Sequence, residues 1–194
     1  MSHGRAVGRG AGVYGLVVKA LADLATDQLD EADWQAICAR TGVDDTFVGT
    51  RAYPDELVMQ LVVGVAEELA TTTDDVLRQL GRRWISFTAD EGWGPLLEAL
   101  GPDLTTALLG LDDLHVRVGL VLPHLRPPAF DVSDVSGQGL LLHYRSHRAG
   151  LAPMVVGLVE QLGERLGTPV TVVHLGRAGD ADEFAVRFTG TVAP

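Results

Sequence analysis

Three polar side chains, Tyr144, Ser146 and Arg148, stand two residues apart in a chain of 194 residues. Read as a strand, that spacing sends all three to one face at intervals of roughly 7 Å. A phenol, a hydroxyl and a guanidinium in a row are donors suited to carboxylate or phosphate oxygens, and the guanidinium can take two at once. The same pattern fits the exposed polar face of an edge strand, and spacing alone leaves both readings open. A second candidate is His115, in an otherwise apolar helical segment. Its neighbours on the helix face are Leu111, Asp112, Val118 and Gly119. An imidazole there is either a core or rim histidine or a metal ligand. One projecting from an apolar helix is what a haem iron requires on its proximal side.

Other reactive residues bring less. His143 and His147 flank Arg145 on the opposite strand face. By strand rise they stand roughly 13 Å apart, too far to share a metal, and they read as solvated. His124 reads as a surface residue. Cys38 sits in a helical, partly apolar setting and reads as a buried, inert thiol. Asp112 and Asp113 read as capping or solvated carboxylates with no acid–base role. There is no P-loop, no G-x-G-x-x-G after a strand, and no Ser-His-Asp order that competes.

Composition narrows the function classes. Lys plus Arg number 15 against 26 Asp plus Glu, a formal net charge of −11. Such a surface repels phosphate, which argues against nucleic acid and anionic membranes as partners. A single cysteine excludes an intrachain disulfide and any multi-cysteine metal site, and it fits a reducing, cytoplasmic compartment. No apolar run reaches the roughly 18 to 20 residues that span a bilayer. The best stretch, 58–70, is broken by Gln60, Glu67 and Glu68. Residues 1–12 are glycine- and arginine-rich without the apolar stretch of a signal peptide, and read as a flexible leader.

The elements that must position these groups follow from periodicity. Leu16, Val17, Ala20, Leu21 and Leu24 predict an amphipathic helix, and Trp34, Ile37 and Cys38 a short second one. Pro54 opens a third, carrying Leu57, Leu61, Val65 and Leu69. Thr73 caps a fourth, with Asp74 and Asp75 in its first turn. Gly81 is expected to interrupt before 82–89 continues helically. A long helix over 104–122 then carries His115, and Pro123, Pro127 and Pro128 end it. Beyond it the period changes. Strands are expected over 129–132 and 140–148 around a Ser136-Gly137 turn, a helix over 153–166, and a hairpin of 170–175 with 183–189 turning near Gly179-Asp180. Helices followed by strand-strand-helix-strand-strand make an α+β fold with an antiparallel sheet.

Four segments, in this order, carry a specific pattern: Val13-Tyr14-Gly15-Leu16-Val17; Leu111-Asp112-Asp113-Leu114-His115; Pro123-His124-Leu125-Arg126-Pro127-Pro128-Ala129-Phe130; and Tyr144-Arg145-Ser146-His147-Arg148. Together they resemble the haem nitric oxide/oxygen binding (H-NOX) family, which includes the haem domain of soluble guanylate cyclase. The resemblance covers about 13–190. It implies one domain, with a distal helical part over about 13–70, a proximal part over about 71–190, and haem b between the lobes. It makes His115 the axial ligand of ferrous iron. Tyr144, Ser146 and Arg148 would hold the propionates, and Pro128 would press the porphyrin out of plane. It places Val17, Leu21, Trp84 and Met154 in the distal pocket. Met154 stands where oxygen-holding members carry a tyrosine, so the resemblance implies a pocket selective for nitric oxide, which also takes CO. The indole N–H of Trp84 is the group that could donate instead.

The implied role is a sensor and not an enzyme. NO weakens the Fe–His115 bond, the helix shifts, and a partner reads the change. The chain shows no kinase, cyclase or phosphodiesterase segment. Output is therefore expected through a partner in trans, a histidine kinase or a cyclic-dinucleotide enzyme. Two rivals remain at this level. A haem enzyme consuming NO or peroxide would need distal acid–base groups. A haem-free module of the same fold would bind another apolar ligand or a partner.

Overall fold

Hydrophobic spacing shapes the N-terminal half into a helical lobe. The computed structural model describes residues 12–121 and 127–189. β1 (Val13–Tyr14) pairs antiparallel with β2 (Ala52–Tyr53), a short clasp that sets the start of α1 (Gly15–Gln28) beside the start of α3 (Asp55–Glu68). Between them lies α2 (Glu31–Thr41), capped by the Asp30 carboxylate on the Asp33 N–H. Val18, Leu21, Ile37, Leu61 and Val65 form the lobe's buried core.

The next helix differs from expectation at both ends of its argument. α4 (Thr73–Thr88) is capped by Thr72, not Thr73. The Thr72 hydroxyl accepts the Asp75 N–H while the Asp75 carboxylate accepts from Thr72. This reciprocal box needs an acidic side chain three residues on, which Thr72 has and Thr73 lacks. Nor does Gly81 interrupt the helix. It lies where α4 crosses α8 (Ala152–Arg165) at backbone contact. A Cβ at Gly81 would overlap the carbonyl oxygen of Met154, and one at Gly157 that of Arg78. The glycine therefore answers a tertiary demand for close approach and not a local one for a break. Beside the crossing, the buried Glu160 carboxylate takes Arg78 Nη2 at 2.6 Å and Arg82 Nη1 at 3.3 Å.

After a wide turn over Ala89–Trp93 and α5 (Gly94–Glu98), the expected single helix over 104–122 is two: α6 (Leu104–Leu109) and α7 (Leu111–Val121). Gly110, a poor helix former, is the joint. The expectations for Pro123 and His124, and for the leader over residues 1–11, lie outside the described residues. Gly12, assigned to the leader, is described: its carbonyl accepts a hydrogen bond from Arg148.

The sheet holds β3 (Ala129–Ser136), β4 (Gly139–Arg145), β5 (Val170–Ala178) and β6 (Ala181–Phe188), all antiparallel in the order β3-β4-β6-β5. Leu142, Phe184 and Val186 on the sheet pack with Val155, Val159 and Leu162 of α8 in a second buried cluster. α4 feeds both clusters, Leu80 the first and Ile85 the second. The strand expected over 140–148 ends at Arg145, because its partner runs out: Ala129 is the last rung and Pro128 before it has no N–H to give. Among the described residues no helix is long and apolar enough to cross a membrane.

The crossing makes a paired prediction. Gly81→Ala should cost about 1–3 kcal/mol, since backbone must move to admit the methyl group. Gly119→Ala, where a Cβ meets nothing, should gain about 0.5–1 kcal/mol. Urea denaturation measures both, and equal midpoints for the two variants would contradict the backbone contact.

Candidate functional site

Between the two lobes lies a cavity of about 490 Å³, within the range of roughly 300–1,000 Å³ of small-molecule sites. α1, α3, α4, α7 and α8 all reach it. Val17, Leu80, Trp84, Leu114 and Met154 belong to its wall, which is predominantly apolar. Polar groups are few, and they include His115, Tyr144, His147, Arg148 and Asp55.

His115 is half-buried on α7. Its Nδ1 lies 3.1 Å from the carbonyl oxygen of Pro128. A carbonyl only accepts, so Nδ1 carries the proton and Nε2 keeps the lone pair a metal needs. Burial is the largest influence on the ring and pushes its pKa down; the Pro128 bond and the Asp112 carboxylate pull the other way. The favoured state is the neutral imidazole, the form that ligates. Among the described residues no three His, Cys, Asp or Glu side chains cluster to hold a metal. A single imidazole held in an apolar part of the wall suits an iron whose other ligands come from a macrocycle.

The donor row assembles differently from a straight strand. Tyr144 is on β4 and buried, and burial above all raises its phenol pKa, against the Ser146 hydrogen bond and the Arg148 charge. It stays neutral and able to donate. Ser146 lies past the strand end and outside the cavity wall; its hydroxyl accepts the Arg148 N–H at 3.1 Å and shapes the bend. Arg148 lines the wall with its side chain only 16% exposed. Its Nε donates to Asp55 Oδ1 at 3.0 Å and its Nη2 to the Gly12 carbonyl at 2.9 Å. The remaining guanidinium N–H groups are available to carboxylates.

The other expected residues divide. Val17, Trp84, Met154 and Pro128 are in the wall. Leu21 is not: one turn further along α1, it is fully buried in the helical core. The Thr88 hydroxyl reaches the cavity but donates to the Trp84 carbonyl at 2.7 Å. Cys38 is buried and its thiol is pushed up to about 11, mainly by burial and then by Asp45, as an inert thiol requires. His143 is not simply solvated: its Nε2 shares a 2.9 Å hydrogen bond with the Ser133 hydroxyl, and Nδ1 lies 3.3 Å from Glu183. His147 is exposed but belongs to the cavity rim. Asp55 and Trp93 also join the wall unannounced. Asp55 could have been suspected only as an acid in a helix's first turn; nothing local shows that Arg148, 93 residues on, would meet it.

An apolar cavity of this size, a neutral imidazole and an arginine–tyrosine pair fit haem, with its flat apolar ring and two carboxylates. A family model described as haem-NO-binding matches residues 14–174. The chain belongs to the haem-NO-binding family. It is 32% identical over 162 residues to soluble guanylate cyclase gcy-35 of Caenorhabditis elegans, covering 79% of this chain, and 28% identical over 164 residues to gcy-31 of the same organism, covering 84%. In each case it spans 23% of the relative's length. The fold matches an H-NOX protein from S. oneidensis in the Fe(II)NO ligation state, with a TM-score of 0.82 at 17% identity over 92% of this chain and 100% of that one. An Fe(II) unliganded H-NOX protein from K. algicida gives 0.82 at 19% identity, over 93% and 99%.

The lowered pKa of His115 has a consequence for stability. The unfolded chain takes up its proton near pH 6.5, before the folded one does. Stability of the haem-free protein should thus be complete above that pH and fall below it. Urea midpoints at pH 7.5 and 5.5 should differ less for His115→Gln than for the wild type; equal differences would contradict the assignment.

Proposed function

We propose that this chain is a haem-based gas sensor that responds to nitric oxide. The carrying observation is His115 itself, its Nδ1 proton given to Pro128 and its ring set in an apolar cavity beside Tyr144 and Arg148. Bound there, haem b would supply a ferrous iron able to take Nε2 on one side and a small gas on the other.

Every further step belongs to the chain's own groups. Arg148, oriented by Asp55 and Gly12, and the neutral Tyr144 would hold the carboxylate edge, with Ser146 fixing the bend that presents Arg148. Pro128, whose carbonyl anchors His115, would bear on the haem from the cavity wall. Val17 and Met154 exclude water and offer no hydrogen-bond donor, and Thr88 has committed its proton. Bound dioxygen carries partial negative charge and needs such a donor, whereas NO and CO depend on it far less. Selectivity for NO rests on that lack and on the indole N–H of Trp84, also in the wall, not reaching the bound gas. α7 would be free to change position once Nε2 is no longer held, and a partner would read the altered surface. The segment that matches this chain forms 23% of each guanylate cyclase named above. The receiver for this chain is an enzyme of that regulatory kind, a cyclase, a histidine kinase or a cyclic-dinucleotide enzyme.

Titrating the ferrous, haem-loaded protein with NO and with CO should shift its Soret band in each case. Air should leave no long-lived oxygenated spectrum. A stable one would overturn the NO selectivity, and its loss in Trp84→Phe would identify the indole as the donor.

A further inference from the structure

The charge on the cavity wall does not match the guest proposed for it. Among the described residues of that wall, Asp55 and Arg148 carry full charges, and they are paired: Arg148 Nε donates to Asp55 Oδ1 at 3.0 Å. One charge offsets the other, while the haem edge brings two carboxylates. The chain as a whole is acidic, with a formal net charge of −11, and its field opposes the arrival of a dianion. The phenol of Tyr144 and the N–H groups that Arg148 retains can donate hydrogen bonds, yet they add no charge beyond the one already paired. Arg145 does not supply it: its Nε is directed to Asp180, at 3.4 Å, and it is not in the wall. His115 is committed to the Pro128 carbonyl, and burial disfavours its charged form.

The remaining histidine of the wall is His147. It is exposed at the rim, next in the chain to Arg148, in the bend that the Ser146 hydroxyl shapes. Among the described residues its ring takes part in no hydrogen bond or ion pair. Histidine gains its charge near neutrality, so the rim holds a group that an anionic guest can make cationic. We propose that His147 is the third arm of the carboxylate cradle, protonated as the dianionic edge enters and set against the carboxylate that Arg148 does not hold. The proposal rests on the haem reading above and deepens it. Proton uptake accompanies binding, so affinity for the cofactor rises as pH falls through the histidine range. Tyr144 and Arg148 act within the wall and His147 at its solvent side; His147 touches neither iron nor gas.

Metal-free protoporphyrin IX isolates the carboxylate edge, because it has no iron for His115 to hold. Its binding is followed by fluorescence at pH 8 and pH 6 in the wild type, His147→Gln and His147→Arg. On lowering the pH, the wild type should gain about two- to fivefold in affinity relative to His147→Gln. At pH 8 His147→Arg, with its permanent charge, should bind more tightly than the wild type by the same factor, and at pH 6 the two should match. Where the metal-free ring binds too weakly to follow, the rate at which haem passes to excess apomyoglobin gives the same comparison. Equal pH dependence in the wild type and His147→Gln would overturn the third arm and leave the haem reading intact, with the second carboxylate in solvent. A chain that takes up neither porphyrin nor haem would overturn the haem reading, and the role of His147 with it.

Discussion

The site depends on one hydrogen bond, from His115 Nδ1 to the carbonyl of Pro128. It fixes the imidazole tautomer, so that the lone pair is on Nε2, and it sets the ring's orientation against a strand instead of leaving it to rotate on an exposed helix. It also joins the two residues that the proposed function sets against an iron and its ring. A backbone carbonyl is a partner that side-chain substitution cannot remove. Burial favours the neutral imidazole, so the bond is to a carbonyl with Nε2 left a lone pair, and not part of an ion pair.

The rest of the fold holds the two halves of the cavity in register. α4 and α8 meet at backbone contact through Gly81 and Gly157, and the Glu160 carboxylate takes two arginines across the same crossing. α4 sends Leu80 into the helical core and Ile85 into the sheet-side core. At the cavity's opposite edge, Arg148 bridges the lobes again through Asp55 and Gly12. Backbone contact at the crossing and the polar Arg148 bridge enclose a cavity that is apolar within and carries Arg148, paired with Asp55, in its wall, which suits the apolar ring and carboxylates of the ligand proposed for it.

Much of this was legible in the residues, and what was not has identifiable causes. Spacing of apolar residues found the helices of the first lobe and the hairpins of the second, because those elements each bury one face and the period survives in the sequence. Gly81 misled because helix propensity sees only a weak helix former, whereas the deciding contact is with Met154, far along the chain. Arg145 ends its strand because Pro128, on the partner, cannot continue the ladder. The alternation argument for Tyr144, Ser146 and Arg148 therefore failed in its geometry, although Tyr144 and Arg148 do reach the same cavity. Leu21 differs from Val17 by one helical turn, enough to face core instead of cavity. Asp55 and the Asp112–Phe130 bond join distant segments and leave no local trace. Family resemblance singled out His115 and Pro128 separately, and the hydrogen bond that joins them is visible only in the fold.

The most direct measurement is the absorption spectrum of the ferrous protein beside that of His115→Gly. A histidine-ligated haem in the wild type, lost in the variant and restored by added imidazole, is the predicted result. An identical spectrum from both proteins, or a wild type that takes up no haem, would contradict it.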